Sequence, residues 1–261
     1  MTTSPELPGI PTAGVPAPAR TTAYGDDPAQ VYDVRLPTGE PRGATVVVVH
    51  GGFWRAAFDR HHAAPQAQAF ADRGYHVAVL EYRRVSMPGG GWPGTVDDVL
   101  AAVAAVRDDA DLPEPTVLVG HSAGGHLVAL AASRTSAWGL RGAVSLAGCV
   151  DLRRGVELGM GDGAVHDLLG AEPAQDPADP LAAADPSMTV PVVPVVLVHG
   201  DADDVVPLEV SRSYLARVDA ADGSHAPVRL VVVPGADHGA VVDPAHPAFA
   251  VVADEVAALL A

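Results

Sequence analysis

From Val31 onward the chain alternates short apolar runs with longer stretches of helical character. The runs at 31–36, 44–50, 76–82, 116–120, 142–147, 193–199 and 228–233 read as strands. Several, such as Val46-Val47-Val48-Val49, are unbroken, the pattern of strands covered on both faces. Between them, 63–73, 95–107, 123–133, 208–219 and 247–260 read as helices. This order predicts an α/β fold, a mostly parallel sheet flanked by helices on both faces, with ligands at the carboxyl ends of its strands. Segment 151–191 breaks the rhythm: it is rich in Asp, Pro and Gly and has one short helical piece near 164–169. A stretch this long without structure of its own is usually functional or disordered, and its position after a strand predicts a lid-like excursion beside the site. Residues 1–30, rich in proline and small polar residues, are expected to form a disordered tail, leaving 31–261 as a single domain.

Composition narrows the chemistry. With 261 residues and 48% hydrophobic content, the chain can bury one large core. It contains no lysine, which excludes Schiff-base chemistry, a lysine general base and pyridoxal phosphate attachment. A net charge of −16 with no basic stripe argues against nucleic acid and against docking on an anionic membrane. Cys149 is the one cysteine, so neither a disulfide nor a thiolate metal cluster can form, and it reads as a small buried hydrophobe. No H-E-x-x-H or comparable ligand spacing occurs, so no metal and no cofactor is expected. The N-terminal stretch resembles neither a signal peptide nor a membrane anchor, and a cytoplasmic location is expected.

The chemistry concentrates at strand ends. Gly120-His121-Ser122-Ala123-Gly124 reads G-x-S-x-G, preceded by an apolar strand and followed by an alanine-rich helix. That context is a nucleophile elbow, which exposes the serine hydroxyl on a sharp turn. A serine needs a histidine base, itself oriented by a carboxylate. His238, in a short loop after the last strand, is the base expected among eleven histidines. His61, His62, His225 and His246 read as surface residues, His126 as packing beside the elbow, and His50, His121 and His199 as strand-end braces. Asp203 fits a G-x-x-D-x-x-V-P spacing counted from Gly200, with Asp201 and Asp204 as neighbouring alternatives. Donors for an oxyanion are expected from Ala123 and from the turn His50-Gly51-Gly52-Phe53-Trp54.

From about Ala44 to His238 the chain resembles α/β-hydrolases of the carboxylesterase type. Its His-Gly-Gly-Phe-Trp turn is similar to the HGG-x-W signature of the kynurenine (aryl) formamidase and esterase branch. Glu81-Tyr82-Arg83-Arg84 and Trp92-Pro93 followed by Asp97-Asp98-Val99 add further echoes of that branch. The resemblance implies the α/β-hydrolase fold, and amide donors at Gly52, Phe53 and Ala123. It departs from relatives with an HGGGW loop in placing Phe53 where they have a third glycine, which would put a ring beside the acyl site.

Together these features predict a metal-independent serine hydrolase acting through Ser122, Asp203 and His238 and an acyl-enzyme. Its expected substrates are small carboxylic esters or N-formyl aryl amides. Trp54, Met87 and Trp92, with Phe53, are expected as apolar walls of the substrate pocket. A small peptidase or amidase of the same fold is an alternative, though no length remains for the propeller domain such peptidases usually carry. A catalytically silent hydrolase-fold receptor is the alternative from another class, and the intact triad argues against it. No nucleic-acid or membrane partner is expected, and a homodimer is compatible with this reading.

Overall fold

The computed structural model describes residues 10–135, 139–176, 178–221 and 223–261. Its eight strands are β1 (Arg20–Ala23), β2 (Val31–Arg35), β3 (Thr45–Val49), β4 (His76–Leu80), β5 (Thr116–His121), β6 (Leu140–Leu146), β7 (Val195–Gly200) and β8 (Val228–Val233). They form one sheet in the order β1-β2-β4-β3-β5-β6-β7-β8. The β1–β2 and β2–β4 pairs are antiparallel and all later pairs are parallel.

Among the described residues the seven α-helices are α1 (Ala64–Ala71), α2 (Gly94–Asp108), α3 (Ala123–Arg134), α4 (Leu152–Glu157), α5 (Ala164–Leu169), α6 (Leu208–Asp219) and α7 (Ala248–Leu260). Alternate residues of the valine strands feed two separate cores. In β3, Val47 and Val49 join the core under α2, α3 and α6, while Val46 and Val48 join the one under α1 and α7. Period-two alternation with both faces covered is why β3 reads as unbroken valine.

Two expectations change. Residues 10–30 do not form a disordered tail: β1 pairs with β2, and Ile10 is buried in the core beneath α1 and α7. The β1 sequence Arg-Thr-Thr-Ala alternates half-buried and exposed positions without an apolar run, so it carries little strand signal. Residues 1–9 lie outside the described residues. The 151–191 excursion contains α4, α5 and two short 3₁₀ turns at Pro180–Ala184 and Pro186–Met188, and its residue 177 is not among those described. Its base is closed by buried carboxylates. Asp151 caps α4 through the Arg154 amide at 2.8 Å and accepts from Ser213 and Arg217 of α6. Asp185 accepts from the amides of Leu152 and Ser187 at 3.0 and 2.9 Å.

The chain runs from β3 outward to β4, then returns to the far side of β3 to form β5. That reversal makes a topological switch at the carboxyl ends of β3 and β5, the place where open α/β sheets bind ligands. The turns carrying Gly52–Trp54 and Ser122 both leave the sheet there.

Candidate active site

Ser122 sits between β5 and α3 with φ 54° and ψ −116°, a conformation that costs a non-glycine residue roughly 1–3 kcal/mol. Its surroundings hold it there. The Ser122 amide donates to Leu146 at 2.8 Å, and its carbonyl accepts from Cys149 and His126 at 3.2 Å each. The glycines of the motif are demanded by contact: a Cβ on Gly120 would strike the Gly124 carbonyl, and one on Gly124 would strike the Val49 carbonyl. The elbow is therefore wedged against the end of β3.

His238 lies beyond β8. Its Nδ1 is 2.8 Å from Asp203 Oδ2, and its carbonyl accepts from His121 Nε2 at 2.9 Å. His121 precedes Ser122 in the chain and its ring packs 4.5 Å from that of His238, so one residue joins the serine turn to the histidine loop. Burial, then the neighbouring His238, pushes the His121 pKa well below the ordinary histidine value, leaving a neutral ring. The Asp203 side chain is fully buried. Burial alone would raise its pKa, but hydrogen bonds from His199, His238 and the Val206 amide overcome this and hold it well below the carboxylate range. An ionised Asp203 can only accept, so His238 carries its proton on Nδ1 and keeps Nε2 free. Of the alternatives, Asp201 accepts from the Gly235 amide at 2.6 Å and Asp204 is exposed.

The turn after β3 has positive φ at three consecutive residues, 106° at Gly52, where glycine adopts it freely, and 49° and 56° at Phe53 and Trp54, where it is strained. Buried polar contacts impose this shape. His50 sets Nδ1 2.8 Å from the Gly51 carbonyl and Nε2 2.9 Å from Glu81, and Tyr82 donates to the His50 carbonyl at 2.8 Å. Trp54 accepts from the Val85 amide at 2.8 Å. A Cβ on Gly51 would lie 3.1 Å from Ser122 Cβ, so this turn is pressed against the serine. Among the described residues neither the Gly52 nor the Phe53 amide donates to a backbone carbonyl. Ala123 opens α3, where an amide has no carbonyl one turn back to bind.

The expected pocket walls fare differently. Trp54 is corrected from a pocket wall to a core residue: it is fully buried and stands edge-on to His126 at 5.2 Å. Its left-handed backbone turns the indole down toward α3 instead of out to solvent. The Phe53 ring packs on the excursion, where a Cβ on Gly161 would lie 2.6 Å from it. Met87 is half-buried and accepts from the Arg84 amide through its sulfur at 3.4 Å. Trp92 is also half-buried, bonded through its amide to Leu168 at 2.8 Å, with the Arg134 guanidinium 5.4 Å above its ring.

The strand-end histidines brace loops, as their positions predict, and His126 packs beside the elbow with Nε2 on the Ala184 carbonyl at 2.8 Å. His62 differs from its expected surface placement: it is buried between Phe58 and His50, and burial pushes its pKa down to about 3. Sequence reasoning did not single out Arg55, which bonds the Gly161 and Asp162 carbonyls at 3.1 and 2.8 Å, nor Phe58, which fills the space beside Gly52. Among the described residues no group of three His, Cys, Asp or Glu side chains could hold a metal ion, and no helix is long and apolar enough to cross a membrane.

A parallel sheet with a serine elbow at its topological switch, and a histidine–carboxylate pair at the ends of the following strands, defines an α/β-hydrolase. Solved structures agree on the fold. A truncated carbohydrate esterase from gut microbiota superposes with a TM-score of 0.76 at 21% identity, covering 94% of this chain and 99% of that one. Esterase 2 of Thermogutta terrifontis, phosphonylated by sarin, superposes at 0.70 and 22% identity, covering 98% and 96%. Within this class the chain belongs to the BD-FAE family, whose profile matches residues 32–217. It is similar to Esterase LipC of Mycobacterium tuberculosis (strain ATCC 25618 / H37Rv), 28% identical over 253 residues. That match covers 84% of this chain and 59% of LipC, so the chain spans about three-fifths of its relative's length.

Proposed function

We propose that this protein is a serine hydrolase of small carboxylic esters, acting through Ser122, His238 and Asp203. The observation that carries this reading is the linked geometry of the three residues. Ser122 stands on a strained elbow, His121 ties that elbow to the His238 loop, and His238 meets a buried carboxylate at 2.8 Å. Ester-hydrolase names among its relatives, such as Esterase LipC, support the same class.

Ser122 Oγ attacks the acyl carbonyl while His238 Nε2 takes its proton. The tetrahedral oxyanion faces the amides of Gly52, Phe53 and Ala123, donors typically worth about 10²–10³ in rate each. His238 then returns the proton to the departing alkoxide, and the alcohol leaves an acyl-enzyme. Water, deprotonated by the same Nε2, attacks that ester, and collapse frees the acid and Ser122. Asp203 fixes the imidazole tautomer and stabilises the imidazolium. A second reading, cleavage of N-formyl aryl amides, draws support from the His50-Gly51-Gly52-Phe53-Trp54 turn, which is similar to the HGG-x-W signature of the formamidase branch.

The test pairs labelling with turnover. Ser122 should be modified by a fluorophosphonate, and p-nitrophenyl acetate should be hydrolysed. Ser122→Ala and His238→Ala should each lose about 10⁶ in kcat, and Asp203→Asn about 10⁴, with the fold intact. Wild-type rates in Asp203→Asn would remove Asp203 from the triad. Failure of Ser122 to label would remove the enzyme reading. Comparison with N-formylkynurenine separates esterase from formamidase.

A further inference from the structure

Behind Asp203 lies another histidine, fully buried, that the triad does not account for. His199, at the end of β7, is fully buried and sets Nε2 2.8 Å from the Val206 carbonyl and 3.3 Å from Asp203 Oδ2. Its Nδ1 meets Ser211 Oγ of α6 at 2.7 Å. A carbonyl can only accept, so Nε2 carries the proton, and Nδ1 accepts from the Ser211 hydroxyl. Asp203 Oδ1 is occupied by the Val205 and Val206 amides at 2.9 and 2.8 Å. Oδ2, the oxygen offered to His238, thus has His238 on one side and His199 on the other.

We propose that His199, set by Ser211, is a positioning residue of the active site: its one Nε2–H, shared between the Val206 carbonyl at 2.8 Å and the inner oxygen of Asp203 at 3.3 Å, keeps that oxygen aimed at His238. The two backbone amides hold Oδ1, but rotation about the Cβ–Cγ bond would still move Oδ2 off the His238 axis. The His199 N–H opposes that rotation from the side away from His238. It also satisfies the Val206 carbonyl, keeping the loop that supplies both amides in place. The arrangement extends the line Ser122–His238–Asp203 inward to β7 and α6. This inference rests on the serine-hydrolase reading above.

The test measures kcat and KM per fluorophosphonate-labelled site, so misfolded protein does not count. His199→Phe should lower kcat by roughly 10- to 100-fold, the scale of a small misplacement of a catalytic group, with KM within about twofold. His199→Gln, whose amide can present an N–H to the same oxygen, should regain most of that loss. The downfield proton NMR signal of His238 Nδ1–H should persist in wild type and His199→Gln and vanish in His199→Phe. Wild-type kcat in folded His199→Phe, or a loss that His199→Gln does not recover, would overturn the assignment. Should neither variant fold, nitrogen-15 NMR of wild type decides: His199 as the neutral Nε2–H tautomer supports the role, and the Nδ1–H tautomer overturns it. A wild type that neither labels nor turns over esters defeats the hydrolase reading itself, whereas an active wild type with an indifferent His199 defeats this inference alone.

Discussion

At Glu81 one buried carboxylate joins three loops around the proposed active site. Its Oε1 faces His50 at 2.9 Å and Arg84 at 3.0 Å, and its Oε2 accepts from the Arg60 amide at 3.0 Å. Burial opposes its ionisation, but His50, Arg84 and the Arg60 amide prevail and hold its pKa down to about 2 from 4.5. A depressed carboxylate stabilises the fold above its unfolded pKa, and that contribution fades as pH falls from about 4.5 toward 2. Such a shift corresponds to roughly 3 kcal/mol. Glu81→Gln should therefore be less stable than wild type near neutral pH by an amount of that order, with the gap closing below pH ~4. Chemical denaturation across pH 2.5–7 checks it, and a constant gap would mean that Glu81 acts through packing alone. At this scale the proposed site was readable: Ser122, Asp203 and His238 each follow a strand end close to a glycine. The supporting contacts were not, because His50–Glu81 depends on β3 and β4 becoming neighbours, and His199–Asp203, four residues apart, on how the loop after β7 folds back.

The excursion shows how two elements distant in sequence come to share one surface. Arg55 leaves the turn after β3 and bonds the Gly161 and Asp162 carbonyls, while the Phe53 ring lies over Gly161. Gly161 has φ +78°, and any side chain there would meet that ring, so the close approach requires glycine. Arg55→Ala should loosen this clasp, raising amide hydrogen exchange across 159–167 while β5 and β7 stay protected. Unchanged exchange in 159–167 would show that Phe53 packing suffices. Phe53→Gly should both free the excursion and open space near the proposed oxyanion site, raising kcat/KM for butyryl relative to acetyl esters by roughly tenfold or more. An unchanged profile across C2 to C8 p-nitrophenyl esters would place the acyl wall elsewhere. Long strands and helices were legible because their apolar period is sustained. In contrast α4, with the sequence Leu-Arg-Arg-Gly-Val-Glu, has too few apolar positions for a period, and its Asp151 cap gains its meaning from α6.

Taken as one molecule, the chain folds back on itself at its N-terminal end, beneath the site. Ile10 is 5% exposed and lines a small cavity with His50, His62, Gln66, His121 and Val242. A side chain on Gly239, next to His238, would touch its Cδ1 at 3.7 Å. Ile10 therefore covers His50, behind the Gly52–Trp54 turn, and His121, which links the Ser122 turn to the His238 loop. Nothing in the sequence around Ile10 predicts this, since one isoleucine among prolines has no periodicity; its burial is decided by the hollow that α1 and the His238 loop leave open. Removing a buried aliphatic side chain costs about 2–5 kcal/mol, with the low end suited to a side chain beside a cavity into which its neighbours can relax. Ile10→Ala should thus destabilise the protein by about 2 kcal/mol, a fall in Tm of roughly 4–8 °C for a chain of this size. Because the cavity touches His121, kcat should fall as well, while KM for a short ester stays near its wild-type value. Thermal melts and ester kinetics on Ile10→Ala, beside Ile10→Val as the mild control, make the comparison. Equal Tm and kcat in Ile10→Ala and wild type would mean that the segment before β1 does not cover the site in solution.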